Sequence, residues 1–424
     1  MAGRFAYPRR PARGYGATRE QGETRSTATP GRIGRCILSR SGFGNQKVRG
    51  RPMKRTFHGG QFFHSIGLDF SQLGRSEQVI NADVLDAWFD PSPRVLAAIR
   101  EYLPFVLRTS PPIYSEGLTE TISKVRGIAR ESILPGGGSS DLIFSLFPRI
   151  IGRGERALIL DPMYGEYQHI LENVLGAAVT RFELTKAQNF SVDPDLLILM
   201  IRRVKPKVVV LVNPNSPTGS HLPKAEVLRV TRSVSPATQF VVDETYVEYV
   251  GREESLEREA TEVRNLVVIK SMSKVYALSG ARVGYMVARE AIVNQLSVAL
   301  RPWAVSLCGQ IAAVEALKDS EYYEERYADT HRLRRELTEM LSSQPDTKVY
   351  PSVANFVLVE LLGEGVTAER VVRTLIDEDI YIRNADSMST GFGNRFVRIA
   401  VEDGKKNRRV VEAFLRAAAP YAKA

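Results

Sequence analysis

The stretch that decides the fold reads Leu266-Val-Val-Ile-Lys-Ser-Met-Ser-Lys274-Val-Tyr-Ala-Leu-Ser-Gly-Ala-Arg282. It begins with a short apolar run, 266–269, which is typical of a buried strand, and it continues into a loop that carries a lysine and an arginine. Amphipathic segments such as 224–233 separate it from earlier runs of the same kind. Strands that alternate with helices predict a mostly parallel sheet with helices on both faces. The earlier runs are Ala157–Leu160, Val208–Val212 and Phe240–Val242.

Polar residues follow these apolar runs. One run leads into the turn Asn213–Gly219, which reads Asn-Pro-Asn-Ser-Pro-Thr-Gly, and another leads directly into Asp243. Ligands of parallel sheets bind beyond the carboxyl ends of the strands, so we expect Asp243, Lys274 and Arg282 at one site. Taken singly, the acid could be a helix N-cap, the turn purely structural and the lysine a solvated charge. Together they predict a site that is lined by the side chains of an aspartate, a lysine and an arginine.

A glycine-rich turn adds a fourth element upstream. The residues Pro135-Gly-Gly-Gly-Ser-Ser-Asp141 precede a helix-like apolar run over 142–147. Glycines permit a close approach of the backbone, and hydroxyl groups at a helix N-terminus bind phosphate. Such a turn is weak evidence alone, but next to the other three elements it predicts a phosphate cradle.

The formal charge of +10 is concentrated in the first part of the chain. Residues 1–55 contain fourteen of the 58 Lys and Arg residues and only two acids, Glu20 and Glu23, which leaves a charge of −2 on the rest. The segment 1–55 has no lasting apolar period and is predicted to be a disordered basic tail. It could be an organelle transit peptide, or the natural start could be Met53. Binding to nucleic acid would depend wholly on this tail, and no such partner is expected.

Two further classes of protein are disfavoured by composition. No apolar run approaches the ~18 residues of a membrane span, so no membrane partner is expected. The two cysteines, Cys36 and Cys308, lie far apart and offer neither a disulfide framework nor the spacing of metal ligands. This usage fits a reducing compartment and predicts a cytoplasmic protein without a metal site.

A resemblance to a known family is carried most specifically by Ser271–Lys274 and Gly280–Gly284. These segments resemble the fold-type I pyridoxal phosphate (PLP) enzymes, in particular the histidinol-phosphate aminotransferase group and its relative threonine-phosphate decarboxylase. The similarity runs in order over nearly all of residues 56–420. Other segments that resemble the group are His58-Gly-Gly60, Arg301-Pro-Trp303, Val349-Tyr-Pro351, Ala354-Asn-Phe356 and Phe396-Val-Arg-Ile-Ala400.

The resemblance implies an α/β fold with a three-layer, mostly parallel sheet and a smaller α+β domain at the C-terminus. We expect a long helix over 319–343 and strands near 356–360 and 396–401 in that smaller domain. By resemblance, the protein is expected to be a homodimer with sites at the subunit boundary. The predicted regions are a tail over 1–55, an N-terminal segment over 56–100 that contributes to the small domain and substrate site, a large PLP-binding domain over 101–315, and the small domain over 316–424.

The resemblance also implies roles at the cofactor. Lys274 would carry PLP as a Schiff base and then serve as general base and acid at the substrate's Cα. Asp243 would pair with the pyridine nitrogen, and Tyr246 would hydrogen-bond the ring hydroxyl. Tyr164 would stack on the ring, although it could instead be a core aromatic residue. The phosphate would be surrounded by Gly138, Ser139, Ser140, Ser271, Ser273 and Arg282.

At the ring hydroxyl the chain departs from the family pattern. The family has an asparagine immediately before Pro-Thr-Gly, whereas this chain has Ser216 there. The role of that asparagine is therefore assigned either to Asn215 or to Ser216. The family also often has a tyrosine that reaches the phosphate of the partner subunit, and Tyr114 is the nearest candidate here.

The predicted substrate side also departs from the pattern. Arg398 would clamp the α-carboxylate, for which a bidentate fork is suited, and Arg383 would reach a second anionic group such as a phosphate or else be solvated. Trp88 and Asn355 are expected to contact the substrate. The segment 81–93 differs from the usual form of the family, which favours a specialised substrate over ordinary histidinol phosphate.

These expectations lead to an aminotransferase of amino acid metabolism. It would move an amino group from a donor, with glutamate expected, to the cofactor and then to a keto or aldehyde acceptor. A decarboxylase or another lyase remains the alternative, because the bond that breaks is the one held perpendicular to the ring, and Pro302-Trp303 resembles the decarboxylase. A DNA-binding regulator is disfavoured because the tail has no helix-turn-helix pattern. A catalytically inactive scaffold is disfavoured because Lys274, Asp243 and Arg282 occur together.

Overall fold

The computed structural model describes residues 59–389 and 391–419. The tail predicted over 1–55, the alternative start at Met53 and the histidine of the His58-Gly-Gly60 segment lie outside the described residues. In chain order the strands of the described part are β1 (Ile80–Ala82), β2 (Ile133–Gly136), β3 (Arg156–Asp161), β4 (Ala178–Glu183), β5 (Val208–Val212), β6 (Gln239–Asp243), β7 (Leu266–Ser271), β8 (Gly284–Ala288), β9 (Thr347–Val349), β10 (Phe356–Leu361), β11 (Ile380–Asn384) and β12 (Phe396–Ala400).

The α-helices of the same part alternate with these strands in the first two thirds of the chain. They are α1 (Pro93–Arg108), α2 (Glu116–Arg126), α3 (Ser139–Ile150), α4 (Gly165–Gln168), α5 (Pro194–Val204), α6 (Lys224–Arg232), α7 (Glu257–Glu262), α8 (Glu290–Ser297), α9 (Leu307–Leu317), α10 (Ser320–Ser342), α11 (Ala368–Ile376) and α12 (Gly404–Ala418). None of the helices described has the length and apolar character needed to cross a membrane.

Seven strands form a large sheet in the order β2-β8-β7-β6-β5-β3-β4. In this sheet β8 runs opposite to the other six strands, so the prediction of an α/β fold with a mostly parallel sheet is confirmed. The apolar runs identified in the sequence are β3, β5, β6 and β7. Every residue of β5 is buried, as expected for a parallel strand that is covered on both faces.

Five strands form a second sheet in the order β1-β11-β12-β10-β9. Four of them come from the last part of the chain, while β1 comes from the N-terminal segment and pairs in parallel with β11. The long helix and the two strands expected in this part are α10, β10 and β12. The region boundaries at residues 100 and 315 stay a prediction.

A cluster of buried charges lies behind the ends of β6 and β7. Lys270 in β7 has its ammonium 3.3 Å from Glu244, 3.0 Å from Glu248 and 3.8 Å from Glu257, and Arg126 of α2 lies 2.8 Å from Glu248. Burial raises the pKa of Glu244 to about 7. Since Glu244 directly follows β6 and Lys270 lies within β7, these ion pairs tie together the two strand ends that lead into the predicted site.

Replacing Lys270 tests this cluster. The variant Lys270→Met leaves three buried carboxylates with one cation, so the free energy of unfolding at about pH 8 is expected to fall by about 3–5 kcal/mol. The folded-state pKa of Glu244 lies above its ordinary value, so Glu244 favours the folded state at low pH and this contribution is lost as pH rises towards about 7. The loss caused by Lys270→Met should therefore be smaller at about pH 5.5. Urea denaturation followed by circular dichroism measures both values.

The matched control is Lys224→Met. Lys224 forms a 2.6 Å ion pair with Glu259 in which both side chains are 23% exposed, and such a pair contributes about 1 kcal/mol or less. Equal losses in the two variants, or a larger loss for Lys270→Met at the lower pH, would contradict the role given to the cluster.

Candidate active site

The site lies where β5, β6 and β7 end. These strands are parallel neighbours, and their register pairs Val212 with Asp243 and Asp243 with Ile269. Consequently the turn that starts at Asn213, the carboxylate of Asp243 and the loop that carries Lys274 all leave the sheet at the same edge. The sequence prediction that these residues come from successive strand ends agrees with this arrangement.

Asp243 is a buried carboxylate held by two hydroxyl groups. Tyr167 donates a hydrogen bond of 2.7 Å to Oδ2, and Thr245 donates to Oδ1 through its hydroxyl at 2.6 Å and its backbone N–H at 2.9 Å. Burial raises the pKa of Asp243, while these donors oppose the shift. They fix the orientation of the carboxylate, which can still accept a hydrogen bond from the N–H of a protonated ring nitrogen. Sequence reasoning missed Tyr167, which lies in α4 three residues after Tyr164, the residue that precedes this helix.

Lys274 is held by the N-terminal segment. Its ammonium donates to the backbone carbonyl of Val84 at 2.8 Å, to Oδ1 of Asp86 at 2.9 Å and to the hydroxyl of Ser279 at 3.4 Å. Burial lowers the pKa of Lys274, and Asp86 partly restores it. Asp86 was not identified from the sequence as a site residue. The only signal was its place in the unusual segment 81–93.

The glycine-rich turn forms a cradle at the start of α3. Gly138 has a φ of 92°, and a Cβ placed on it would lie 2.8 Å from Nη2 of Arg282. A Cβ on Gly284 of β8 would lie 3.1 Å from the backbone nitrogen of Ser139. The absence of these two side chains brings a helix N-terminus and a guanidinium group together, which is the arrangement that binds a phosphate group.

The four predicted serines differ in their contacts. Ser139 provides the first residue of α3. Ser140 donates its hydroxyl hydrogen to Glu166 at 2.8 Å. Ser271 and Ser273 are both buried, and the backbone N–H of Ser273 donates to Oγ of Ser271 at 3.3 Å. The roles of all four in binding phosphate stay predictions.

Tyr164 shares the carboxylate of Glu166 with Ser140. The Tyr164 hydroxyl donates to Oε2 of Glu166 at 2.7 Å, and burial raises the pKa of Tyr164 well above its ordinary value. Tyr164 therefore stays neutral beside Asp243 and Tyr246, both of which interact electrostatically with it. Its predicted stacking on the ring stays a prediction.

In the turn after β5, the two candidate residues Asn215 and Ser216 form different hydrogen bonds. The Asn215 amide donates to the carbonyl of Pro162 at 3.0 Å and to Thr218 at 3.1 Å, and it thereby holds the turn itself. Ser216 instead faces other site residues, because its hydroxyl accepts from Nη1 of Arg398 at 3.0 Å and interacts with the Tyr246 hydroxyl. Of the two alternatives, Ser216 has the contacts that fit a place beside the cofactor ring.

Two buried arginines lie opposite each other on the small sheet. Arg383 of β11 and Arg398 of β12 are paired in the strand register. Arg398 donates through Nη2 to the carbonyl of Asp83 at 2.7 Å, and burial together with Arg383 lowers its pKa to about 10. Nε of Arg383 lies 2.9 Å from Oδ1 of Asp83. The structure thus pairs Arg383 with a carboxylate of the chain, a contact that sequence reasoning did not foresee.

The last two predicted substrate residues make contacts within the protein. The indole N–H of Trp88 donates to Thr330 of α10 at 2.8 Å, and the amide of Asn355, which is fully buried, donates to the carbonyl of Leu85 at 3.1 Å. Both contacts hold the segment that follows β1. A direct contact of Trp88 or Asn355 with substrate stays a prediction.

These features fit PLP. The glycine cradle with Arg282 suits its phosphate, the oriented carboxylate of Asp243 suits its pyridine nitrogen, and Lys274 supplies the amine that anchors it. Lys274 and Arg398 donate hydrogen bonds to the carbonyls of the adjacent residues Val84 and Asp83, which brings the cofactor anchor near the arginines of the small sheet.

The sequence matches the family Aminotransferase class I and II over residues 81–414, and the chain belongs to this family. It is a PLP-dependent transaminase. A histidinol-phosphate aminotransferase from Clostridium kluyveri is 31% identical over 71% of this chain and 82% of the relative.

Two solved structures share the fold. One is histidinol-phosphate aminotransferase from Sinorhizobium meliloti in complex with pyridoxal-5'-phosphate, with a TM-score of 0.74 and 20% identity over 86% of this chain and 99% of that one. The other is L-threonine-O-3-phosphate decarboxylase from Porphyromonas gingivalis, with a TM-score of 0.66 and 24% identity over 80% of this chain and 99% of that one.

The phosphate cradle is tested by Gly138→Ala. The added methyl group would meet the guanidinium of Arg282 at a backbone φ that disfavours alanine, so the dissociation constant of PLP is expected to rise about tenfold or more. The matched control is Gly280→Ala, because a Cβ on Gly280 has no neighbour within 4 Å. Equilibrium titration of cofactor-free protein with PLP gives both constants. Unchanged PLP affinity in Gly138→Ala would show that phosphate binds elsewhere.

Proposed function

We propose that this transaminase moves the amino group of an α-amino acid to a 2-oxo acid at the edge of the large sheet, with Arg398 binding the α-carboxylate of the substrate. The observation that carries the proposal is that Lys274 and the buried Arg398 are held by the carbonyls of adjacent residues, Val84 and Asp83, so that the amine and the guanidinium serve one site. PLP bound there would withdraw electrons from the bonds at the substrate's α-carbon. The donor expected from the resemblance is L-glutamate.

The residues around Lys274 suit it for proton transfer. Burial lowers the pKa of Lys274, so its amine loses a proton more readily than an exposed lysine and can act as a general base. The contacts with Val84 and Asp86 hold the amine when it is protonated. Asp243, oriented by Tyr167, would keep the pyridine nitrogen protonated. Tyr246 lies close to Asp243 and Arg398 and would contact the ring hydroxyl.

Arg398 is suited to a carboxylate by its position. It is 4% exposed, and its guanidinium is fixed by Ser216 and the Asp83 carbonyl. A fixed, charged fork in a buried place binds a carboxylate with little loss of side-chain entropy. The decarboxylase alternative is less supported, since the chain is 27–31% identical to several histidinol-phosphate aminotransferases.

The first test is a half-reaction. PLP-loaded protein is titrated with a panel of amino acids that includes L-glutamate, while the visible spectrum and the products are recorded. Loss of the cofactor band, with one 2-oxo acid formed per site, is the expected result. Release of carbon dioxide without a 2-oxo acid would contradict the proposal and favour a decarboxylase. Lys274→Ala should slow the half-reaction by about 10²–10⁴-fold or more. Lys318→Ala, which removes a surface lysine 45% exposed, should leave it unchanged.

We also propose that the protein is a homodimer and cytoplasmic. The cytoplasmic location is supported by the cysteine usage. The dimer is supported by a set of exposed apolar side chains on and beside α1, since exposed apolar patches of this kind mark interaction surfaces. The backbone of Trp303 is hydrogen-bonded to that of Ile113, which joins two parts of the patch. Its members are Leu96, Tyr102, Leu103, Phe105, Leu107, Ile113, Tyr114 and Trp303.

The dimer is tested by the double variant Leu103→Asp/Leu107→Asp. The two added carboxylates should separate the subunits, so that the molar mass measured by light scattering after gel filtration falls from that of two chains to that of one. Leu199→Asp is the control, because Leu199 is 61% exposed on α5, which lies outside the patch. A monomeric wild type, or dissociation of both variants, would contradict the assignment of this surface.

A further inference from the structure

The contact between Asp83 and Arg383 is set by strand register. β1 pairs in parallel with β11, and Ala82 lies opposite Ile382, so the next residues along the two strands are Asp83 and Arg383. Nε of Arg383 lies 2.9 Å from Oδ1 of Asp83, and both residues are at most 4% exposed. The pair is therefore part of the sheet that also carries Arg398.

The N-terminal glycines close over this pair. The backbone N–H of Gly60 donates to Oδ2 of Asp83 at 3.2 Å. A Cβ placed on Gly59 would meet Oδ2 of Asp83 and would lie 2.9 Å from Nη2 of Arg383. Only a glycine fits so close to both groups at a φ of 91°. Asp83 thus has an ionic partner at Oδ1 and a hydrogen-bond donor at Oδ2, and these two contacts fix the orientation of its side chain.

On the small-sheet side of the site, the charged groups around Arg398 leave a single positive charge for the substrate. Arg383 and Arg398 face each other across the register, and Asp83 neutralises one of them. Tyr164 and Tyr246, the other titratable groups that interact with Arg398, remain neutral because burial raises the pKa of each. Lys274 is paired with Asp86. Arg398 therefore has the positive charge that remains available, and it can bind one carboxylate of the substrate.

We infer that Asp83 is a specificity-determining residue, which reserves the site for amino acids whose side chains carry no negative charge. The inference rests on the proposed function, in which Arg398 takes the α-carboxylate. A phosphate or second carboxylate beside Arg383 would meet the carboxylate of Asp83, and built-in repulsion of this kind is a common source of specificity. It replaces the expectation that Arg383 binds a second anionic group, and it ranks L-glutamate below its neutral isostere L-glutamine.

The inference is tested with pairs of ligands that share a shape and differ in charge. The rate constants of the half-reaction are compared for L-glutamine and L-glutamate. Wild type should favour L-glutamine, and Asp83→Asn should shift the ratio towards L-glutamate by about ten- to a hundredfold, the effect of one hydrogen bond to a charged group. In Asp83→Asn/Arg383→Gln the shift should disappear, because the gain depends on Arg383. Asp90→Asn, which removes an exposed carboxylate of the same segment, should leave the ratio unchanged.

A binding measurement separates this inference from the proposed function. The non-reactive glutarate and its monoamide glutaramate are titrated into PLP-loaded wild type, with the cofactor absorption as readout, so that no transamination is needed. Tighter binding of glutaramate supports the inference even if neither amino acid reacts. Tighter binding of glutarate overturns it, whether or not Asp83→Asn folds. An unchanged L-glutamine to L-glutamate ratio in an Asp83→Asn protein that folds and binds PLP also overturns it.

Discussion

Charges that are buried or partly buried beyond the ends of the sheet strands need partners, because an unpaired charge removed from water is destabilising. Here the partners come from distant parts of the chain. Lys274 is held by Asp86 and Arg383 by Asp83, so the segment that follows β1 contacts both the large sheet and the small one. These ion pairs make the site a single unit built from three regions of sequence.

The segment 80–86 is short, but it contacts residues on both sides of the site. Its backbone carbonyls accept hydrogen bonds from Arg398, Lys274 and Asn355, and its two acids provide the ion pairs. Ordering this segment therefore couples the lysine that anchors the cofactor to the arginine proposed for the substrate carboxylate. A substitution that loosens β1 would alter PLP binding and substrate binding together.

Much of the cofactor side could be predicted from the sequence, and less of the substrate side. The positions of Lys274 and Asp243 follow from strand ends that local apolar runs reveal, and the Gly138 turn follows from its glycines and serines before a helix-like run, while their roles at PLP follow from the resemblance. The partners of these groups depend on tertiary contacts: Asp86 and Lys274 are 188 residues apart, and no local pattern records that distance. Arg383 shows the consequence, since an anionic partner from the substrate was expected for it and the carboxylate of the chain beside it was not. The different contacts of Asn215 and Ser216 likewise depend on the folded turn, and the ring contact of either residue stays a prediction.

The attachment point of the cofactor is the central claim, and it can be measured directly. PLP-loaded protein is reduced with borohydride, which makes the link between cofactor and lysine permanent, and its peptides are then analysed by mass spectrometry. We predict the phosphopyridoxyl group on the peptide that contains Lys274, at that residue. Stoichiometric labelling of a different lysine, such as the neighbouring Lys270, would contradict the assignment of the active site.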